Sequence, residues 1–397
     1  MSFFIVCRTI IAAFHCKGIK KFIKYKIKMP KYFLYSQKSG NFAAKLRNIS
    51  NKTRIKMKKI NAKIYLWGSV AVVLLIAGFT YCYLFSGLSK SAKTEYVYID
   101  SDDTQDSVFS KIHPIANAIP MSGFSTLARH SGYADHIRTG RYAIHPGEGA
   151  LMVFRHLKNG QQTPVSLTIP EVRTIDRLAG ALARKLMLDS ADVAIHLSDS
   201  AYCARWGYDT ATVAALFVPN TYDIYWNVGL DRLMERMEKE NQKFWNDERR
   251  GKAEAMGMTP VEVATMASII DEETANNAEK PMIAGMYYNR LKAGMPLQAD
   301  PTIKFALKDF ALRRIYHKLL HIDSPYNTYR YEGLPPGPIK IASIAGIDAV
   351  LNHVDHDYLY MCAKEDFSGT HNFARTYQEH LQNAARYTKA LNERGIK

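Results

Sequence analysis

Apolar residues along this 397-residue chain fall into three regimes. The first is a single run, Ile64–Leu88, 25 residues without a charge. The second, from about residue 90 to 200, alternates short strand patterns with amphipathic helices. Tyr96–Ile99, Gly140–Ile144 and Val165–Ile169 carry strand patterns. Helices are expected over Asp103–Ile115 and Gly149–Leu157, the latter stopped by Asn159–Gly160. Another helix follows the turn at Pro170, with Ile175, Leu178, Ala179 and Leu182 on one face. Residues 90–120 begin as a polar linker entering this fold.

The third regime is mostly helical. One long amphipathic helix is predicted over 228–255. The next opens with Thr259 as N-cap, Pro260 at the first helical position and Glu262 closing a capping box. Val263, Met266, Ala267 and Ile270 then make an apolar stripe at i, i+3, i+4, i+7. After a turn at Asn276–Asn277 a helix runs through Ile283–Leu291 and ends at Gly294. Asp300 stands before Pro301 as a candidate N-cap. A strand at Tyr358–Cys362 and a last helix, Thr376–Arg394, complete an α+β fold.

Composition changes this picture little: 47% hydrophobic and 23% charged residues exclude a disordered chain. Charge changes it more. Residues 1–63 hold 17 Lys and Arg and no acid, so the formal +16 resides there and the remainder is close to neutral. That argues against nucleic acid as the partner of the folded body. The uncharged run can span a bilayer with some tilt. Tyr65 and Trp67 at one end and Tyr81 and Tyr83 near the other suit the two interfaces. The basic flank KMKKINAK keeps the N-terminus in the cytoplasm, with Lys90 onward outside. A cleaved signal peptide would need a shorter apolar core and a clear small-residue site, and Ser86–Ser89 is only faintly of that kind. Residues 1–56, basic with an apolar start, suit a membrane-surface segment, or else translation begins at Met57.

The candidate chemistry sits where the stripe ends, in three consecutive acids, Asp271, Glu272 and Glu273. At about 100° per residue Glu272 projects roughly opposite the stripe. Asp271 and Glu273 flank it, with Glu273 nearer its centre. A carboxyl at the edge of an apolar face is partly desolvated, and so suited to proton donation. A solvated helix tip would have the same spacing. Asn289 and Arg290 lie on the following helix, and the loop GMPLQADPT brings Gln298 and Asp300. Gln298 has no structural explanation and is suited to sugar hydroxyl or acetamido groups. Tyr326–Ile339 combines aromatics, amides and a Pro–Pro turn, which suits pyranose faces. His317 and His321, and His353 and His356, have half of a zinc site's spacing but no accompanying HExxH glutamate, so no metal or other cofactor is expected. Cys203 and Cys362 are too far apart for a metal motif; they are one disulfide or two buried thiols.

ASIIDEET, YYNRLKAGMPLQADPT and YNTYRYEGLPPGPI, in that order over some 80 residues, resemble the signature blocks of the YceG-like family of endolytic peptidoglycan transglycosylases. The family's first block reads roughly A-S-[IVL]-[IV]-[EQ]-x-E, and its invariant catalytic glutamate falls on Glu273. The position of Asp271 varies in the family. VPNTY at 218–222 matches the family's P-[DN]-T-Y, but the acidic residue that precedes that block in the family is absent here. His371–Asn372–Phe373 resembles its G-G-x-[HY]-x-F block.

The resemblance implies four regions: a basic cytoplasmic 1–63, a transmembrane helix 64–88, a LysM-like glycan-positioning region of strand–helix modules 89–200, and a catalytic region 201–397. It implies cleavage of the β-1,4 bond between N-acetylmuramic acid and N-acetylglucosamine within glycan strands. Glu273 protonates the glycosidic oxygen, then as carboxylate takes the proton of the muramoyl 6-hydroxyl that attacks the anomeric carbon, leaving a 1,6-anhydro end. Asn289, Arg290, Gln298, Asp300, Tyr326, Asn327, Thr328 and Tyr329 are the implied substrate-binding residues. The expected setting is a Gram-negative inner membrane with a periplasmic body, peptidoglycan strands as partner, and a peptidoglycan synthase nearby. Two rivals stand beside it: a hydrolase pairing Glu273 with Asp271, and a non-enzymatic, membrane-anchored glycan-binding protein.

Overall fold

The structure, a computed structural model, describes residues 40–312 and 315–395. The aromatic and basic segment 1–39 lies outside them. The chain divides after Gly78 into two compact units. Helix α1, Gly40–Leu84, holds the one stretch among the described residues, Arg47–Leu84, long and apolar enough to cross a membrane. Its apolar side chains are exposed, Leu75 at 74% and Trp67 at 70%, as lipid-facing residues of a lone span would be. The helix ends four residues before the expected Leu88. Leu88 is wholly buried: its N–H donates to Glu148 O, and its carbonyl accepts from Asn117 N. Leu88 thus belongs to the body.

The body is mixed α and β, mainly helical, around three hydrophobic clusters. The first is built from β1 (Glu95–Ile99), α2 (Gln105–Ile112), α3 (Ala118–His130) and β2 (Gly140–Ile144), with α4 (Ala150–Asn159) packed on it. Strands β1 and β2 pair antiparallel, Val97 opposite Tyr142. Thr104 caps α2 with a full capping box, so that helix starts later than the sequence pattern suggests. Strand β2 falls on its expected residues.

The second cluster repeats the order strand, helices, strand. It comprises β3 (Val165–Thr168), α5 (Ile175–Ala183), α6 (Ser190–Leu197), the short α7 (Ser200–Ala204) and β4 (Thr221–Ile224). Strand β3 pairs antiparallel with β4, Leu167 opposite Tyr222. That pairing and its core run straight across residue 200, where the sequence pattern put a boundary. Helix α8 (Leu230–Phe244) closes this cluster. The single helix expected over 228–255 breaks after Phe244. Trp245 turns into the core at 3% exposure, and Asn246 accepts from Arg249 N to cap α9 (Asp247–Ala255).

The third cluster surrounds α10 (Pro260–Glu273), whose Thr259–Glu262 capping box is as expected. Its packing is not. Every residue from Val263 to Ile270 is buried, so α10 is a central helix rather than one with an apolar stripe. Helices α11 (Lys280–Lys292), α12 (Asp300–Leu307) and α13 (Ile344–Leu351) pack around it. Its polar residues are satisfied inside: Thr265 Oγ1 donates to Val261 O, and Ser268 Oγ donates to Thr265 O while accepting from Ile339 N at 3.0 Å. Strands β5 (Tyr360–Ala363) and β6 (His371–Ala374) form a third antiparallel pair, covered by α14 (Tyr377–Glu393).

Ser268 therefore holds the 335–343 segment against the central helix. Ser268→Ala strands a buried N–H and is expected to cost about 1–3 kcal/mol. Thr265→Val loses only an intrahelical bond and should cost less than about 1 kcal/mol. Urea unfolding of the detergent-solubilised chain measures both, and equal losses would contradict this assignment.

Candidate active site

The end of α10 sends its three carboxylates in three directions. Asp271 is enclosed, its side chain 2% exposed, between Lys280 Nζ at 2.7 Å, Ser343 N at 2.6 Å and Ser343 Oγ at 2.8 Å. Gly346, in the first turn of α13, lets the carboxylate approach: a Cβ there would lie 2.5 Å from Asp271 Oδ1. Glu272 accepts two bonds from Arg173, at 2.7 and 2.9 Å, and lies 3.8 Å from Lys340. Glu273 accepts a bond from the Tyr287 hydroxyl at 2.8 Å and faces a cavity of about 380 Å³.

That cavity is polar. Arg290, Gln298, Asp300 and Tyr329 line it with Glu273, and Tyr360, His371 and His380 form another side. Burial pushes the Glu273 carboxyl up to about 7 from its ordinary 4.5. The Tyr287 hydrogen bond opposes that rise, the charge of Asp300 adds to it, Lys304 opposes it and Glu272 adds to it. Burial also raises the Tyr287 and Tyr329 phenols, so both remain donors near neutrality. Tyr329 donates to Asp300 Oδ1 at 2.6 Å.

Asp300 is not the cap expected of it. Ala299 occupies that position, its N–H bound to Thr328 Oγ1 and its carbonyl accepting from Thr302 Oγ1. Asp300 becomes the first helical residue, and its carboxylate is left to the cavity. Gln298 takes a left-handed backbone, φ 55°, rare for a residue with a Cβ and costing about 1–2 kcal/mol. Two bonds hold it there: Gln298 N donates to Thr328 O at 2.9 Å, and Arg290 donates to Gln298 Oε1 at 2.7 Å. With its oxygen claimed, the side-chain NH₂ is the group Gln298 offers the cavity.

Arg290 itself is 5% exposed and also binds Pro296 O and Leu359 O, so it supports the cavity more than it faces a ligand. Four other expected substrate contacts lie elsewhere. Asn289 donates to the carbonyls of His356 and Tyr358. Asn327 is fully buried; its amide donates to Leu320 O and Ile322 O, and its oxygen accepts from Tyr329 N. Thr328 ties the turn to α12 through Thr302. Tyr326 packs on Phe305 at 4.7 Å and lines a different cavity. Asn289, Asn327 and Thr328 thus bind backbone groups of irregular segments, at 356–358, 320–322 and 299, that no sheet satisfies.

The VPNTY block serves β4: Tyr222 donates to Val218 O, and Thr221 pairs with Thr168. His356 binds Met282 O and Tyr358 N, His353 packs on Tyr288, and among the described residues no cluster suited to a metal ion occurs. Cys203 and Cys362 are free thiols. Sequence reasoning passed over Tyr287, although it lies three residues before Arg290 and therefore on the same helical face.

Residues 97–386 match the model of the YceG-like family. A protein named endolytic murein transglycosylase from Bacillus subtilis is 44% identical over 133 residues, 33% of this chain and 35% of that one. Its namesake from Streptococcus pneumoniae is 26% identical over 305 residues, 67% of this chain and 53% of that one. The chain thus spans about half the length, or less, of the curated relatives it matches. A YceG-like protein from Listeria monocytogenes superposes over 74% of this chain and 99% of its own, at 27% identity and a TM-score of 0.48, too loosely to argue from.

Glu273 carries a stability signature. Its folded pKa lies above its unfolded value, so its contribution is intact below pH 4.5 and lost as pH rises through 7. The loss is about 3 kcal/mol. Glu273→Gln should therefore be more stable than the parent by up to that amount at pH 8, with no gain at pH 4. Thermal unfolding at the two pH values checks this.

Proposed function

The chain belongs to the YceG-like family, and from that premise we propose that it is an endolytic lytic transglycosylase acting on peptidoglycan. The observation that carries the reading is the carboxyl of Glu273, burial-shifted to about 7 and open to a polar cavity. A group titrating near neutrality can donate a proton and then accept one without large cost in either direction.

The protonated Glu273 gives its proton to the glycosidic oxygen as the bond to the muramoyl anomeric carbon breaks. The resulting carboxylate, still bound by Tyr287, takes the proton of the muramoyl 6-hydroxyl as that oxygen bonds to the anomeric carbon. Proton and charge balance within the strand, and no water is consumed. Gln298 through its NH₂ and Tyr329 hold the sugar. Arg290, Asn327 and Thr328 hold those two in place.

Two findings weigh on the rivals. The hydrolase reading loses Asp271 as its second carboxylate, because that group is locked to Lys280 and Ser343 away from the cavity. It would have to use Asp300, which already binds the Tyr329 hydroxyl. A purely binding protein gives no reason to hold a carboxyl uncharged in its cavity. We read the units around β1–β2 and β3–β4, each an antiparallel strand pair with helices between its strands, as LysM-like modules that position glycan, which that arrangement supports. One apolar N-terminal helix is consistent with a single-pass anchor. Placing the N-terminus inside, the body in the periplasm of a Gram-negative cell and a synthase alongside extends that reading.

Mass spectrometry of muropeptides released from purified peptidoglycan tests it. Anhydro-ended products from the parent, and a loss of at least about 100-fold in Glu273→Gln, are expected. Reducing ends would replace the lyase by a hydrolase. Activity should fall as pH rises past about 7 with loss of the Glu273 proton. Tyr287→Phe, which removes a bond to the carboxylate, should move that fall to higher pH.

A further inference from the structure

A second cavity, of about 250 Å³, lies between α5 and α12, where the second and third hydrophobic clusters meet. Arg173, Lys308 and Lys340 line it over an apolar floor that includes Leu178, Phe305 and Tyr326. Val172 and Asp176 are shared with an open groove along α5, whose rim carries Arg177, Arg184 and Lys185. The two linings thus present six basic side chains and one acid, Asp176. Arg173 and Lys340 are partly neutralised by Glu272 and Glu171. Lys308, Arg177, Arg184 and Lys185 make no ion pair among the described residues.

Elements that wall this cavity also wall the Glu273 site, through different residues. Asp300, at the start of α12, lines the Glu273 cavity, and Phe305, five residues on, lines the second. That is a rise of about 7–8 Å along the helix. Tyr329 and Tyr326 divide in the same way, and the partner of Arg173 is the residue next to Glu273.

We propose that this basic cavity and its groove receive the acidic peptide stem borne by the muramoyl unit of the strand being cut, a proposal that rests on the reading of Glu273 given above. The chemistry matches on two counts. A stem of alanine, γ-linked glutamate and a diamino acid carries carboxylates for the cations, and methyl and methylene groups for the apolar floor. Glycan alone, with its lactyl carboxyl in amide linkage, is uncharged and leaves the four unpaired cations, Lys308, Arg177, Arg184 and Lys185, without a counterpart.

The test uses the detergent-solubilised full chain and its Arg177→Glu/Lys308→Glu variant, neither position touching the Glu273 cavity. Two substrates are compared, intact strands and strands stripped of their stems by an amidase. The parent should cut stripped strands at least about tenfold more slowly. The variant should cut intact strands at the stripped-strand rate and stripped strands as the parent does. Equal rates for the parent on both substrates, or equal losses by the variant on both, overturn the proposal. Calorimetric titration with a soluble muramoyl tripeptide is the second measurement. The parent should bind it at least tenfold more tightly than the variant, and no binding by the parent overturns the proposal. If the parent cuts neither substrate, the assignment of Glu273 falls while the titration still decides this one. Tighter binding to vesicles of anionic phospholipid than to the tripeptide would assign the groove to lipid phosphate and overturn it too.

Discussion

Consecutive carboxylates at the end of a buried helix need separate counterparts, because each unpaired charge taken out of water costs several kcal/mol. Helix α10 meets that demand with three neighbours from three parts of the chain. Lys280 and Ser343 take Asp271, Arg173 takes Glu272, and only Glu273 is left without a cation in contact. The two paired acids bind the helix end to α11, α13 and the segment before α5. The third is held by a neutral phenol. That difference in partner sets Glu273, which faces the cavity, apart from the two paired acids.

The arrangement around Glu273 balances opposing effects. Burial raises its pKa, the Tyr287 hydroxyl lowers it, and Asp300 raises it again. Replacing the phenol by a cation would have tied the carboxyl into an ion pair like that of Asp271 with Lys280. Removing the phenol would take away the one hydrogen bond that the Glu273 carboxyl makes among the described residues. A phenol kept neutral by its own burial stabilises the anion without committing the group to it.

Much of this was legible in the residues. The capping box at Thr259, strand Gly140–Ile144 and the face of α5 follow from local chemistry, and the structure reproduces them. Glu273 followed from its block. What was not legible was tertiary in origin. The stripe on α10 underestimated its burial because Thr265 and Ser268 satisfy their hydroxyls on the helix itself, a bond no hydropathy pattern records. Asn289, Asn327 and Thr328 read as sugar ligands because amides and hydroxyls bind sugar and backbone alike. Only the fold shows which carbonyls lie within reach. Asp300 before Pro301 has the sequence of a cap, yet Thr328 reaches the Ala299 N–H and moves the helix start by one residue.

That one-residue shift has a consequence for the site. Were Asp300 the cap, its carboxylate would turn back onto the amides of α12 and stabilise the helix at the cavity's expense. With Ala299 in that position, Gln298 is forced into the left-handed region just ahead of it, and two hydrogen bonds offset the strain. The bonds come from the fully buried Thr328 and the nearly buried Arg290, neither able to relax toward solvent. A strained glutamine and an uncapped aspartate are therefore two results of one local choice. Thr328, which does not line the Glu273 cavity, imposes it. The residues that define this site are in that sense its supports, and the side chains exposed in it follow from them.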